Sequence, residues 1–182
     1  MNVAACLVTR GDVDLSPILE SLPYGEVVVW DNSVRENLRA FGRYQAAGET
    51  QADTIYVQDD DCVLSPAAHQ LLEQSYRLAP AGTAVLHIEE NRDVPWVGFG
   101  ALIPRGLWEE PHARYLDRWP RDDDFLDFCD AIFTMQARVR RCYAGHRDLP
   151  WAEAASRTCN QPGYYSERRP RMLGRIRELA VS

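Results

Sequence analysis

Ile55-Tyr56-Val57-Gln58-Asp59-Asp60-Asp61-Cys62-Val63-Leu64 is the stretch on which the fold turns. Three adjacent carboxylates repel one another, and acids are rarely buried unless they are paired or hold a metal. Thr54 to Val57 reads as a strand, which places Asp59 to Asp61 at its carboxyl end, where open α/β sheets bind ligands. Asp59 and Asp61 are two residues apart, so in extended backbone they point the same way. Two convergent carboxylates suit a hard divalent cation that also takes oxygens from a substrate phosphate. The plain alternative is an acidic surface turn; the strand before the triplet and the apolar residues after it argue against that.

Working outward, Val3 to Val8 is a continuous apolar run ending in Thr9-Arg10, and Val27-Val28-Val29-Trp30 is another ending in Asp31-Asn32-Ser33. Both have the pattern of buried parallel strands. Between them, Pro17 starts a short helix with Ser16 as its N-cap. Glu36 to Ala47 has helical spacing, with Leu38, Phe41, Tyr44 and Gln45 marking its inner side. Strand, helix, strand, helix, strand thus fills the first third of the chain, the signature of a mostly parallel sheet with crossover helices. Thr9-Arg10, Asp31-Asn32 and Asp59 to Asp61 then meet at one edge and outline a nucleotide-sized site.

Further on, Ala67 to Leu78 reads as a helix, Thr83 to Ile88 as a strand and Trp96 to Ile103 as a strand-like run. Gly98 and Gly100 mark close approach by a ligand or another backbone, or a bulge. Arg105 to Asp117 is helical. Asp122-Asp123-Asp124 leads into a helix with Phe125, Phe128, Cys129 and Ile132 on one face and Asp123, Asp127 and Asp130 on another. Acids there complement the helix dipole or form a solvated face; Asp130, between Cys129 and Ala131, is the better functional candidate. Val139 to Tyr143 is an edge strand, and Met172 to Leu179 lies in a last amphipathic helix.

The 182 residues fit one domain. No apolar run nears the length needed to span a membrane and no leader pattern opens the chain, so a cytoplasmic protein is expected. Five cysteines, odd in number and without a CxxC, read as reduced, partly buried thiols. The net charge of −7 is uneven: from Arg138 onward 10 Arg face 4 acids, whereas the first 137 residues hold 10 Arg and 23 acids. A basic tail lacking a nucleic-acid-binding motif, on an otherwise acidic chain, argues against a nucleic-acid partner. Arg157 or Arg168 could instead serve a phosphate near the acidic triplet.

Trp30-Asp31-Asn32-Ser33, Gly42-Arg43-Tyr44, Tyr56 to Asp61, Trp96 to Ala101, Asp123-Asp124-Phe125-Leu126 with Cys129-Asp130, and Leu149-Pro150-Trp151-Ala152 together resemble the GT-A glycosyltransferases. The likeness is greatest to small family-2-like members of actinobacteria and their phages. It spans nearly the whole chain and implies a Rossmann-like α/β GT-A fold, a nucleotide-diphosphate sugar donor (a UDP-sugar foremost) and Mn²⁺ or Mg²⁺. Thr9, Arg10, Asp31 and Asn32 would match donor positions, and Arg43 the helix arginine facing the nucleotide. Asp59 would lie near ribose or sugar and share the metal, with Asp61 the direct metal ligand. Asp60 falls among the donor-site residues by position but reads as a solvated or structural neighbour.

The general base implied for the acceptor hydroxyl falls among Asp123, Asp124 and Asp130. The family's usual Glu-Asp pair is replaced here, so the choice among these acids stays open. The histidine that many relatives carry near the carboxyl end has no counterpart in Gln161 to Tyr165. The expected activity is transfer of a hexose to a glycan or protein hydroxyl, with inversion if an Asp is the base and with a second subunit able to complete the acceptor site. Two other readings use the same residues: a nucleotidyltransferase, which usually needs more glycines after the first strand than Gly11 alone, and a non-catalytic carbohydrate-binding protein.

Overall fold

The computed structural model describes residues 1–87, 94, 96–151 and 162–180. Its centre is a six-stranded sheet made of β1 (Val3–Thr9), β2 (Glu26–Asp31), β3 (Thr54–Gln58), β5 (Ala84–His87), β6 (Ala101–Pro104) and β7 (Val139–Cys142). Their spatial order is β2-β1-β3-β6-β5-β7, and β6 alone runs against the others. The expected mostly parallel α/β sheet is therefore present. A second, two-stranded sheet pairs β4 (Cys62–Leu64) with β8 (His146–Asp148) in antiparallel register.

Alternate residues of the central strands enter two cores, which is why these strands are apolar throughout. Cys6, Ile55, Val57, Leu86 and Ile103 pack with Tyr44, Cys129 and Phe133 on one face. Ala5, Tyr56, Val85 and Leu102 pack with Leu72 on the other. The first face receives α2 (Gly42–Ala47) and α5 (Asp123–Thr134); the second receives α3 (Pro66–Arg77), which starts at Pro66 behind an N-cap in which Ser65 Oγ accepts the Ala68 N–H. A third cluster joins α4 (Glu109–Leu116), α5 and α6 (Arg169–Ala180) through Tyr115, Phe125, Phe128, Met172 and Ile176. The apolar face expected for α5 is buried as expected.

Several local readings are corrected. β2 is an edge strand and only half-buried, because nothing pairs on its far side among the described residues. Ser16 is inside α1 (Ser16–Ser21) and is not its cap; the Asp14 carboxylate accepts the Ser16 N–H instead. The expected helix over Glu36 to Ala47 is broken into an irregular start, a 3-10 turn at Arg39–Phe41 and α2, and Gln45 is exposed. Asn32 causes the break: its side chain accepts the Leu38 N–H and donates to the Arg39 carbonyl, holding the chain out of helix. Of Trp96 to Ile103 only the end is strand, the start being a turn that reaches Gly100 at φ +110. Cys6, Cys62, Cys129 and Cys142 are free and buried. Ile88, Ala152, Arg157, Cys159 and Gln161 lie outside the described residues. Among the described residues no helix is long and apolar enough to cross a membrane.

Candidate functional site

The parallel register of β1, β2 and β3 brings the three polar strand ends to one edge. Thr9 is level with Asp31 across β1 and β2, and Leu7 pairs with Gln58, the residue before the acidic triplet. Thr9 is buried; its Oγ accepts the Gly11 N–H at 3.1 Å and its carbonyl accepts the Asn32 N–H at 2.9 Å. Gly11 at φ +77 has no room for a side chain, since a Cβ there would lie 2.2 Å from Ser33 Oγ and 2.8 Å from Asp31 Oδ1. Asp31 Oδ1 accepts the Ser33 hydroxyl and N–H, and those two bonds hold its carboxyl below the usual range. Arg10 pairs with Asp12 at 2.9 Å. Asn32 is occupied in shaping the loop toward Arg39, as described above.

The Asp59-Asp60-Asp61 loop is clamped by its backbone, which leaves its outer carboxylates at the rim. The Asp59 N–H donates to the Gly98 carbonyl at 2.7 Å, Trp151 Nε1 donates to the Asp60 carbonyl at 2.5 Å, and the Leu149 N–H donates to the Asp61 carbonyl at 2.7 Å. Gln58, wholly buried, spans the loop from inside: Nε2 donates to the Cys62 carbonyl at 2.6 Å and Oε1 accepts the Tyr56 hydroxyl at 2.5 Å. Leu149 and Trp151 thus act on the triplet's backbone. Asp60 is buried, which makes it a structural neighbour and not a solvated one; Asp61 is half-buried, and the Asp59 side chain keeps 40% of its surface.

Arg43 is among the largest fully buried side chains of the described residues and does not open onto solvent, its side chain being 2% exposed. Its Nη2 donates to Asp59 Oδ1, its Nε to the Ala40 carbonyl at 3.0 Å, and its Nη1 lies 3.2 Å from Asp130 Oδ2. The Tyr44 hydroxyl donates to Asp130 Oδ1 at 2.7 Å. Burial raises the Asp130 carboxyl above its usual range, with Arg43 opposing. Asp59 and Asp130, both singled out from the sequence, are therefore brought together, through an arginine that is itself a predicted site residue.

The remaining acids of α5 and its cap have other partners. Asp122 is the N-cap, accepting the Phe125 N–H. Asp123 is exposed and accepts from Arg39 Nη2 at 2.5 Å. Asp124 accepts from Arg168 Nε at 2.6 Å and Arg171 Nη2 at 2.7 Å; burial pushes its carboxyl up, and these bonds and charges outweigh that and hold it down. Asp127, read as part of a solvated face, is half-buried, its side chain enclosed between Arg39 and Arg168, each at 2.6 Å. The tail arginine Arg168 is thus engaged by α5 carboxylates.

One group was not read from the sequence. His87, at the carboxyl end of β5, lies with Nε2 2.9 Å from His146 Nδ1, and His146 Nε2 lies 3.1 Å from Asp148 Oδ1. The alternation of His146 and Asp148 on one short strand was the only signal available. Among the described residues, no three His, Cys, Asp or Glu side chains are grouped to hold a metal ion. A depression of about 380 Å³ lined by Met1, Tyr24, Glu26 and Glu73 opens at the amino-terminal edge of the sheet and contains none of these residues.

Fold and site together define an α/β protein with a clamped acidic loop at the carboxyl edge of its sheet. No protein-family model matches the chain, and no curated protein matches it. Among solved structures it is similar to A197 from STIV, at 16% identity and a TM-score of 0.50 over 79% of this chain and 83% of that one. At that identity the likeness is one of fold alone.

Proposed function

We propose that the chain is a metal-dependent glycosyltransferase of GT-A type, moving a sugar from a nucleotide-diphosphate donor to an acceptor hydroxyl. The observation that carries this reading is the Asp59-Asp61 loop at the carboxyl end of β3. It lies beside Thr9 and Asp31, with its backbone held by Gly98, Leu149 and Trp151 and its first carboxylate set by Arg43. A loop held from its backbone presents acid side chains without having to order them on binding, which is what a charged ligand requires.

Mg²⁺ or Mn²⁺ fits this donor set. Such an ion needs only one or two carboxylates when substrate phosphates complete its shell, so no three-residue cage is required. Asp61 would hold it, with Asp59 shared between the ion and Arg43. Bound there, the cation would offset the charge that grows on the departing nucleoside diphosphate. Thr9 and Asp31 would line the side from which base and ribose approach. The test is release of nucleoside diphosphate from UDP-, GDP- and dTDP-sugars with Mn²⁺. Turnover of one donor by the wild-type chain and none by Asp61→Ala supports the reading; normal turnover by Asp61→Ala removes the metal assignment.

A further inference from the structure

Sugar transfer by direct displacement needs a base for the acceptor hydroxyl, and the acids of α5 are poorly suited to supply it. Asp124 and Asp127 are held by arginines, and Asp130 is buried against Arg43 and Tyr44. The arginines hold the Asp124 carboxyl down, and Asp130, although burial raises its carboxyl, has both oxygens turned to Arg43 and Tyr44 inside the core. Asp148 differs in two respects. Its side chain is 67% exposed, and the side chain bonded to it among the described residues is a histidine, His146, whose own side chain is 8% exposed.

Asp148 also stands at the candidate site. It faces Cys62 in the β4–β8 ladder, one residue from Asp61, and the next residue, Leu149, donates to the Asp61 carbonyl. Asp59, Asp61 and Asp148 all act electrostatically on the Cys62 thiol, after burial itself. On the other flank, the His146 ring stacks on Phe99 at 4.6 Å and 28°, and Phe99 follows Gly98, the residue that holds Asp59.

The hydrogen bonds assign the protons along the chain of rings. His87 Nδ1 accepts the Ala144 N–H at 3.1 Å, so the ring proton sits on Nε2 and is donated to His146 Nδ1. His146 then carries its proton on Nε2 and donates it to Asp148 Oδ1.

We infer that Asp148 is the general base, with His146 and His87 as positioning residues that orient its carboxylate. This rests on the glycosyltransferase reading. The acceptor oxygen bonds to the anomeric carbon as its O–H bond breaks, and the proton passes to Asp148. The electron pair of the anomeric C–O bond leaves with the nucleoside diphosphate.

The experiment measures nucleoside diphosphate release from UDP-glucose, GDP-mannose and dTDP-glucose with Mn²⁺, water serving as acceptor. Asp148→Asn should lower kcat about 100-fold or more at an unchanged donor KM, and His146→Gln about tenfold. Nitrogen NMR of the wild-type rings should find His146 protonated on Nε2. Asp148→Asn turning over within about threefold of wild type would overturn the inference while leaving the glycosyltransferase reading intact. An Nδ1-protonated His146 would overturn the positioning role of the two histidines on its own. No release from any donor by the wild-type chain would overturn both readings together.

Discussion

Asp59 and Asp130 share one guanidinium: Arg43 donates to the first through Nη2 and lies 3.2 Å from the second through Nη1. One carboxylate stands at the rim of the site and the other is buried in α5, so a single core cation couples the acidic loop to the helix packed against the sheet. A buried cation is tolerated only when paired, and here two carboxylates share it.

Replacing that cation should therefore be costly. Arg43→Met leaves Asp130 buried without its counter-ion, which should lower unfolding free energy by about 3–5 kcal/mol. Urea unfolding checks this, and a loss below about 1 kcal/mol, the range of an exposed ion pair, would contradict it.

Gly98 tests the loop from the opposite side. A Cβ there would lie 2.0 Å from Asp59 Oδ2, while the Gly98 carbonyl is fixed by the Asp59 N–H. Gly98→Ala should push the Asp59 carboxylate off Arg43, costing about 1–3 kcal/mol as overpacking does and weakening Mn²⁺-dependent nucleotide binding in titration calorimetry. Wild-type affinity in this variant would mean that the placement of Asp59 is unimportant.

The acid limb of stability should come largely from two buried histidines. His69 and His112 are held down to about 4 by burial, for His112 against a hydrogen bond to the Cys129 carbonyl that raises it. A folded-state value below the unfolded one near 6.5 gives stability that is present above pH 6.5 and is lost as pH falls toward 4, about 1.4 kcal/mol per pH unit for each ring. Asp130 works in the opposite sense, because its raised carboxyl favours the folded state as pH falls through its own value. Among the described residues neither ring nitrogen of His69 has a hydrogen-bond partner. His69→Phe should therefore flatten the pH dependence of urea unfolding between pH 6 and 4 by about one proton's worth; an unchanged slope would contradict this.

Asp124 is predicted to anchor α6. It accepts from Arg168 and Arg171 across the α5 and α6 boundary, so Asp124→Asn should cost about 1.5–3 kcal/mol, the range for hydrogen bonds to charged groups. Donor turnover should persist once the temperature is lowered to keep the variant folded. Loss of turnover in a folded Asp124→Asn variant would return the general base to the start of α5.

The sheet was legible because β1 and β3 are buried on both faces, and a short continuous apolar run that ends in polar residues fits a central strand better than any other element. The antiparallel direction of β6 was not, since Ala101 to Pro104 carries the same apolar pattern whichever way it runs. Asp59 and Asp61 stood out as costly charge at a strand end, and Asp130 as an acid within an apolar helix. What joins them was hidden: the resemblance has Arg43 facing the nucleotide, and only the packing of α2 against β1 and β2, with Asp130 of α5 beside the guanidinium, buries it. The Arg39 and Arg168 pairings to α5 were likewise hidden, because they link residues far apart in the chain through side chains alone. Asn32 misled the helix reading, since a side chain that bonds two backbone groups ahead of it leaves no trace in hydrophobic spacing.

The central claim, a nucleotide-sugar site centred on Asp61, is tested most directly by thermal unfolding with UDP-, GDP- and dTDP-sugars, each with and without Mn²⁺ or Mg²⁺. A ligand at about 100 times its Kd stabilises by about 2.7 kcal/mol, so one donor should raise Tm by about 5–10 °C only when the metal is present. Asp61→Ala should abolish that shift while unfolding at nearly the wild-type temperature without ligand. No metal-dependent shift with any donor, or an equal shift in Asp61→Ala, would contradict the account.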